Sequence, residues 1–135
     1  MRHVFVMTVL LSVFGLPGLA AEDTDRDCGR LMMWAESDIR SAILSLEDGE
    51  ADIAYHLVRQ GTSRFARGIR CYGECLTSSP AAAPCRDHLQ NASDAIRAAA
   101  NSFGARAYGD AAHWLGEALG GIHEVLICIP EVCSD

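Results

Sequence analysis

The sequence predicts an all-α protein, a four-helix up-and-down bundle built from two similar helical hairpins that disulfides hold closed. Three observations predict this fold. Four apolar stretches have a spacing of three to four residues, turn-forming residues separate them, and the chain matches itself at an interval of 57 residues. The 135 residues are half apolar, which favours one folded domain over a disordered chain.

The first 21 residues have the order of a secretory signal peptide. A basic start precedes an apolar run over 4–16, a Pro-Gly breaker, and small residues up to Ala21. This order predicts cleavage after Ala21 and export of a helical domain over 22–135. The run is too short to span a bilayer comfortably, so we expect a secreted or periplasmic protein with no stable membrane insertion after cleavage.

Two helices are predicted in the first half of the chain, over about 25–47 and about 50–76. Asp48-Gly49 lies between them and is typical of a turn. Because a three-and-four spacing places side chains on one helix face, each helix has an apolar stripe. The first stripe contains Leu31, Ala35, Ile39, Ala42 and Leu46, and the second contains Ala54, Leu57, Gly61, Phe65, Ile69 and Tyr72.

Two more helices are predicted over about 85–103 and about 107–129. Pro84 suits the first turn of a helix, where its missing N–H has no helical partner, and Pro130 is expected to end the last helix. The third stripe contains Leu89, Ala92, Ile96, Ala99 and Phe103, and the fourth contains Ala111, Trp114, Leu115, Ala118, Ile122 and Leu126.

The two halves of the chain resemble each other. A shift of 57 residues places Cys28 on Cys85, Cys71 on Cys128 and His56 on His113, and it superposes the apolar stripes as well. We therefore interpret residues of about 25–77 and about 82–133 as two copies of one hairpin.

The six cysteines of an exported chain predict a disulfide framework. Residues at equal distances from a hairpin turn meet, and the midpoints of Cys28 with Cys71 and of Cys85 with Cys128 fall in the two turns. Cys75 and Cys133 then remain to join the hairpins, and all six cysteines gather at one pole of the bundle. The rival pairing joins Cys75 to Cys85 and leaves Cys133 either free or bonded to Cys128.

The formal charge of −7 and the scattered distribution of eleven arginines, with no lysine, argue against a nucleic-acid partner. No catalytic motif, cofactor site or metal-ligand spacing is found, so we expect no enzymatic residue and no cofactor. His56 and His113 are the candidate ligand residues. Asn91 begins a glycosylation sequon, which matters only in a eukaryotic host.

Glycines inside the second and fourth helices lower helix stability, so we expect them to have a structural or functional role. They predict either a close approach between helices or a groove for a partner, with Gly120-Gly121 as the expected site of a bend. These glycines are Gly61, Gly68, Gly116, Gly120 and Gly121.

Residues 85–128 resemble the plant invertase and pectin methylesterase inhibitor family. The residues that carry the resemblance are Cys85, Ala92, Ile96, Ala99, Tyr108-Gly-Asp110, Trp114-Leu115-Gly-Glu-Ala118-Leu119 and Cys128. The resemblance implies a secreted four-helix bundle whose last two helices share a cysteine pairing. The lysine-bearing motif linked to invertase inhibition is absent from this lysine-free chain, so no inhibitory residue can be transferred.

These observations together predict an exported, non-enzymatic, disulfide-stabilised binding protein whose partner is another protein. Inhibition of an extracellular enzyme is one form that such binding takes. The alternative is a periplasmic protein that binds a metal or a small ligand at the cysteine pole or in the bundle core. Cys71 and Cys75, four residues apart on one helix face, would offer two thiolates to a soft metal ion.

Overall fold

A computed structural model describes residues 24–133, and the predicted signal peptide lies outside them. The described residues contain helices and turns and no strand, which confirms the predicted all-α class. No helix in this range is both long enough and apolar enough to cross a membrane. The elements in order are α1 (Thr24–Glu47), α2 (Ala51–Tyr72), α3 (Glu74–Ser78), a 3-10 turn (Pro80–Ala82), α4 (Ala83–Gly104) and α5 (Tyr108–Cys133).

The four long helices form the predicted bundle of two hairpins. Helix α1 packs along α2, and α4 packs along α5. Between the hairpins α1 packs along α5, whereas α2 and α4 touch at few places. Gly49 makes the first turn possible because its φ of 79° lies in the left-handed region that side chains disfavour.

Two predicted helix boundaries are wrong. The second helix does not run to 76 but ends at Tyr72, because Gly73 adopts a φ of 58° and interrupts the helix before the short α3. The last helix does not end at Pro130 but continues to Cys133. Pro130 has no N–H to donate to the Leu126 carbonyl four residues earlier, so it removes one helical hydrogen bond close to the end of the helix. Cys133, three residues later, is bonded to Cys75.

The core lies between the four helices and repeats at the same interval as the sequence. Met32, Ala35, Ile39 and Ala42 of α1 are fully buried, and so are Ala92 and Ala99 of α4. In α2 and α5 the buried pairs at this interval are Ala54 with Ala111, Val58 with Leu115, and Phe65 with Ile122. Trp114 is an exception to the predicted stripes, since it is 37% exposed and packs edge-on against the His113 ring.

Three disulfides join the helix ends at one pole. Cys28 bonds to Cys71 and Cys85 to Cys128, each across a sequence separation of 43 residues. Cys75 of α3 bonds to Cys133 at the end of α5, which ties the two hairpins together. Symmetric placement about the turns predicts the first two of these pairs, and the third joins the two cysteines that then remain.

The two hairpins differ in how their paired helices meet. In the first, the buried Asp38 carboxylate accepts hydrogen bonds from Arg64 Nη1 at 3.0 and 3.2 Å and from Gln60 Nε2 at 3.2 Å. In the second, the equivalent of Asp38 is the buried Ala95, and the equivalent of Arg64 is Gly121. A Cβ atom at Gly121 would lie 2.9 Å from Ala92 Cβ, so only glycine lets α5 approach α4 this closely.

Candidate binding groove between α2 and α4

A groove of about 550 Å³ runs along the bundle where α2 and α4 separate. Its floor is apolar, formed by Val58, Phe65 and Ile69 of α2 with Ile96 and Ala100 of α4. From Tyr55 to Ile69 the groove spans fifteen residues of α2, and the fourteen helical steps between them cover about 21 Å. This length is sufficient for about four turns of a partner helix.

The opposite side of the bundle shows why the groove is open. The 57-residue interval relates α2 to α5 and α4 to α1, so the α1–α5 interface is the counterpart of the groove. There, Leu119, Leu126 and Ile43 pack against the core. Their counterparts in the groove are Thr62, Ile69 and Ala100. Thr62 is polar and Ala100 is small, so neither supplies the apolar volume that fills the closed side.

A polar contact also crosses the closed side and is missing from the groove. His123 Nδ1 of α5 lies 3.3 Å from Glu36 Oε2 of α1. The counterparts of these two residues in the groove are Ala66 and Ser93, which line its walls. The α2 and α4 helices therefore lack both the apolar filling and the side-chain bridge that join α1 to α5.

The groove carries positive charge on an acidic protein. Arg59 of α2 and Arg97 of α4 both line it, and no acidic residue is among the described residues that do so. Arg97 also lies 3.6 Å from Asp94, a largely exposed neighbour on the same helix. The two rims therefore favour a ligand with negative charge beside an apolar surface.

The charge of the whole helices follows the same division. Helix α2 contains four arginines, at 59, 64, 67 and 70, and a single acidic residue, Asp52. Helix α5 contains no arginine and four acidic residues, Asp110, Glu117, Glu124 and Glu131. The α2 wall of the groove therefore belongs to a basic helix, although Arg64 is paired with Asp38 of α1 and the chain as a whole has a formal charge of −7.

An aromatic cluster closes one end of the groove. The ring of Tyr55 lies 5.5 Å from that of Phe103, which in turn lies 6.1 Å from Tyr108. Tyr55 and Tyr108 remain 42% and 41% exposed. The cluster offers a partner two phenol groups at the turn pole, next to Arg106.

The structure does not bring the predicted ligand residues together. His56 and His113 are both exposed, on α2 and α5. Within residues 24–133 no group of three His, Cys, Asp or Glu side chains could hold a metal ion. Asn91 is exposed on α4. All six cysteines are in disulfides, which leaves no thiolate for the soft-metal site considered at Cys71 and Cys75.

The helix glycines serve different purposes. Gly61 approaches α1 so closely that an added Cβ would lie 3.1 Å from Asp38 Cβ, and Gly68 is similarly placed against Met32. Gly121 approaches α4, as described above. Gly116 and Gly120 have no atom within 4 Å of such a Cβ, so close packing inside the bundle does not explain them. Helix α5 continues through the Gly120-Gly121 pair.

The groove residues Arg59, Thr62, Arg97 and Ala100 are not among the site residues predicted from the sequence. The signal was present in the repeat itself, where Thr62 stands at the position of Leu119 and Ala100 at the position of Ile43. A polar or small residue at the position of a packed leucine or isoleucine indicates an interface that is not closed. The buried Asp38, at the position of Ala95, was missed in the same way.

Comparisons of the chain with known proteins identify no relative. No protein-family model matches it, and neither a curated protein nor a solved structure shows significant similarity to it.

Proposed function

We propose that this chain is an exported, non-enzymatic binding protein, and that it binds another protein through the groove between α2 and α4. The observation that carries the proposal is the unfilled apolar floor between Thr62 and Ala100, at the position where the matched interface is packed. A partner that fills this groove removes its apolar surface from water, which lowers the free energy of the complex.

Rigidity supports a binding role. Three disulfides tie the helix ends together, and the two that close the hairpins span equal loops. A groove whose walls are already fixed loses little conformational entropy when a partner binds. The disulfides also support export, because they form and persist in oxidising compartments.

The class of partner is suggested by sequence. The resemblance of residues 85–128 to invertase and pectin methylesterase inhibitors favours an extracellular enzyme that the bundle inhibits. In this proposal, inhibition is the consequence of binding, and it requires no catalytic residue in the bundle.

Site-specific photocrosslinking in the cells that export the protein tests the proposal. A benzoylphenylalanine is placed at Ser63, on the groove wall, or at its counterpart Gly120 on α5, where a side chain meets open space. We expect a covalent adduct with one protein from position 63 and none from position 120. We also expect T62L/A100I, which fills the groove, to abolish the adduct. Equal adducts from both positions, or no adduct from position 63, would overturn the proposal.

A further inference from the structure

The shape and charge of the groove between α2 and α4 indicate what fills it. Resting on the function proposed above, we propose that the occupant is an acidic amphipathic helix of the partner protein. Its apolar side chains lie on the floor at Thr62 and Ala100, and its carboxylates face Arg59 and Arg97.

The shape of the groove favours a helix. Its walls are two long helices, and it remains open to the surface over about 21 Å, the length of about fourteen helical residues. On the closed side the same space is filled by side chains of helices, with Leu119 and Leu126 seven residues apart on one face. A partner helix with leucine or isoleucine at this spacing would present equivalent groups to the open side.

The positive charge of the groove favours a partner helix with negative charge. Arg59 and Arg97 line opposite walls, and Arg70 lies three helical turns from Arg59 on the same side of α2. Guanidinium groups bind carboxylates with two parallel hydrogen bonds, which fixes orientation as well as adding energy. Glutamate or aspartate residues along the edges of the partner helix would meet this row, whereas lysines there would be repelled.

A peptide titration tests the inference on the full disulfide-bonded protein. The probe is a fluorescein-labelled helical peptide of about fourteen residues, matched to the groove length, with leucines at heptad spacing and glutamates on both flanks. A control peptide has lysine in place of every glutamate. We expect the glutamate peptide to bind in a fluorescence anisotropy titration, the lysine peptide to bind at least about tenfold more weakly, and added salt to weaken the former.

Two protein variants locate the binding. R59Q/R97Q removes the positive charge of the groove rims and is expected to weaken the binding of the glutamate peptide about tenfold. T62L/A100I fills the floor and is expected to abolish binding. The matched control R67Q removes an arginine of α2 that does not line the groove, and it should have little effect. Equal affinity for the two peptides, or unchanged binding by T62L/A100I, would overturn the inference.

Other occupants give different results. If palmitate binds to the wild-type protein and is displaced in T62L/A100I while the glutamate peptide does not bind, the groove holds a lipid and the inference is wrong. If sedimentation shows self-association that T62L/A100I abolishes while the peptide again fails to bind, the occupant is a second copy of this chain. If photocrosslinking at position 63 captures a protein but the acidic peptide does not bind, the proposed function survives and the acidic-helix inference fails.

Discussion

The two sides of the bundle where the hairpins meet are related by the repeat, yet one is closed and the other is open. On the closed side, Leu119 and Ile43 pack on the core, and His123 reaches Glu36. On the open side, Thr62, Ala100 and two arginines line a groove. One arrangement of helices can therefore serve as a structural contact at one interface and as a candidate binding surface at the other. The two sides share the order of the helices and differ in a few side chains and in how closely the two helices pack.

The interiors of the two hairpins differ in a similar way. The first is joined through the pair of the buried Asp38 with the partly exposed Arg64, and the second through the close contact of Gly121 with Ala92. The guanidinium of Arg64 also lies 5.1 Å from the ring centre of Trp34, so the pair has packing on its solvent side. Both contacts hold two helices together, but we expect the two hairpins to respond differently to substitution at these positions.

Removal of each hairpin disulfide tests whether the two hairpins contribute equally to stability. Removing the Cys28–Cys71 bond as C28A/C71A, or the Cys85–Cys128 bond as C85A/C128A, should cost about 4 kcal/mol each, because both open loops of the same length. Urea unfolding of the two variants measures these costs. Losses that differ by more than about 2 kcal/mol would show that the hairpins do not contribute equally.

Substitution of Arg64 and Asp38 tests how much their ion pair contributes to the packing of the first hairpin. R64A should cost about 2 kcal/mol, because it leaves the buried Asp38 carboxylate with only Gln60 among the partners described above. The double variant D38A/R64A should be more stable than R64A, since the second hairpin has Ala95 at the position of Asp38. Strictly additive losses in the double-mutant cycle would contradict this account of the pair.

Glycine substitutions test the close contact of the second hairpin. G121A should destabilise the protein by about 1–2 kcal/mol, because its Cβ would meet the backbone of Ala92 at 3.1–3.2 Å. G120A is the matched control, and it should gain up to about 1 kcal/mol from improved helix propensity in open space. Thermal and urea unfolding measure both, and a stabilising G121A would refute the close approach.

The smallest effect on stability is expected at the open side. T62L/A100I should stabilise the protein by about 1 kcal/mol, because it buries additional apolar groups between α2 and α4. This gain is reduced by the loss of the hydrogen bond that Thr62 Oγ1 donates to the Val58 carbonyl, at 2.7 Å. Destabilisation in urea would mean that the groove cannot close as its counterpart does.

Much of the fold could be predicted from sequence because the signals are local or symmetric. Apolar spacing predicts the helices, and equal distances from Gly49 and from the second turn predict which cysteines meet. The break at Gly73 could not be predicted in this way, since a glycine is tolerated within a helix unless its φ becomes positive. The continuation of the last helix past Pro130 could not be predicted either, since a proline usually ends a helix, and here the helix runs on to Cys133, which is bonded to Cys75.

The apolar stripes alone do not predict the groove, because it depends on how far apart two helices stand. Arg59 and Arg97 belong to different hairpins, and their spacing in the chain gives no hint that both line one surface. Only a position-by-position comparison of the repeats, Thr62 with Leu119 and Ala100 with Ile43, distinguishes the open side from the closed one.

The most direct test of the account is the photocrosslinking yield at position 63 in two proteins, one with the natural groove and one with T62L/A100I, each shown by urea unfolding to be folded. We expect the filled protein to be at least as stable as the natural one and to form no adduct with the partner. An adduct of undiminished yield in the stable, filled protein would contradict the claim that the groove between α2 and α4 is the binding surface.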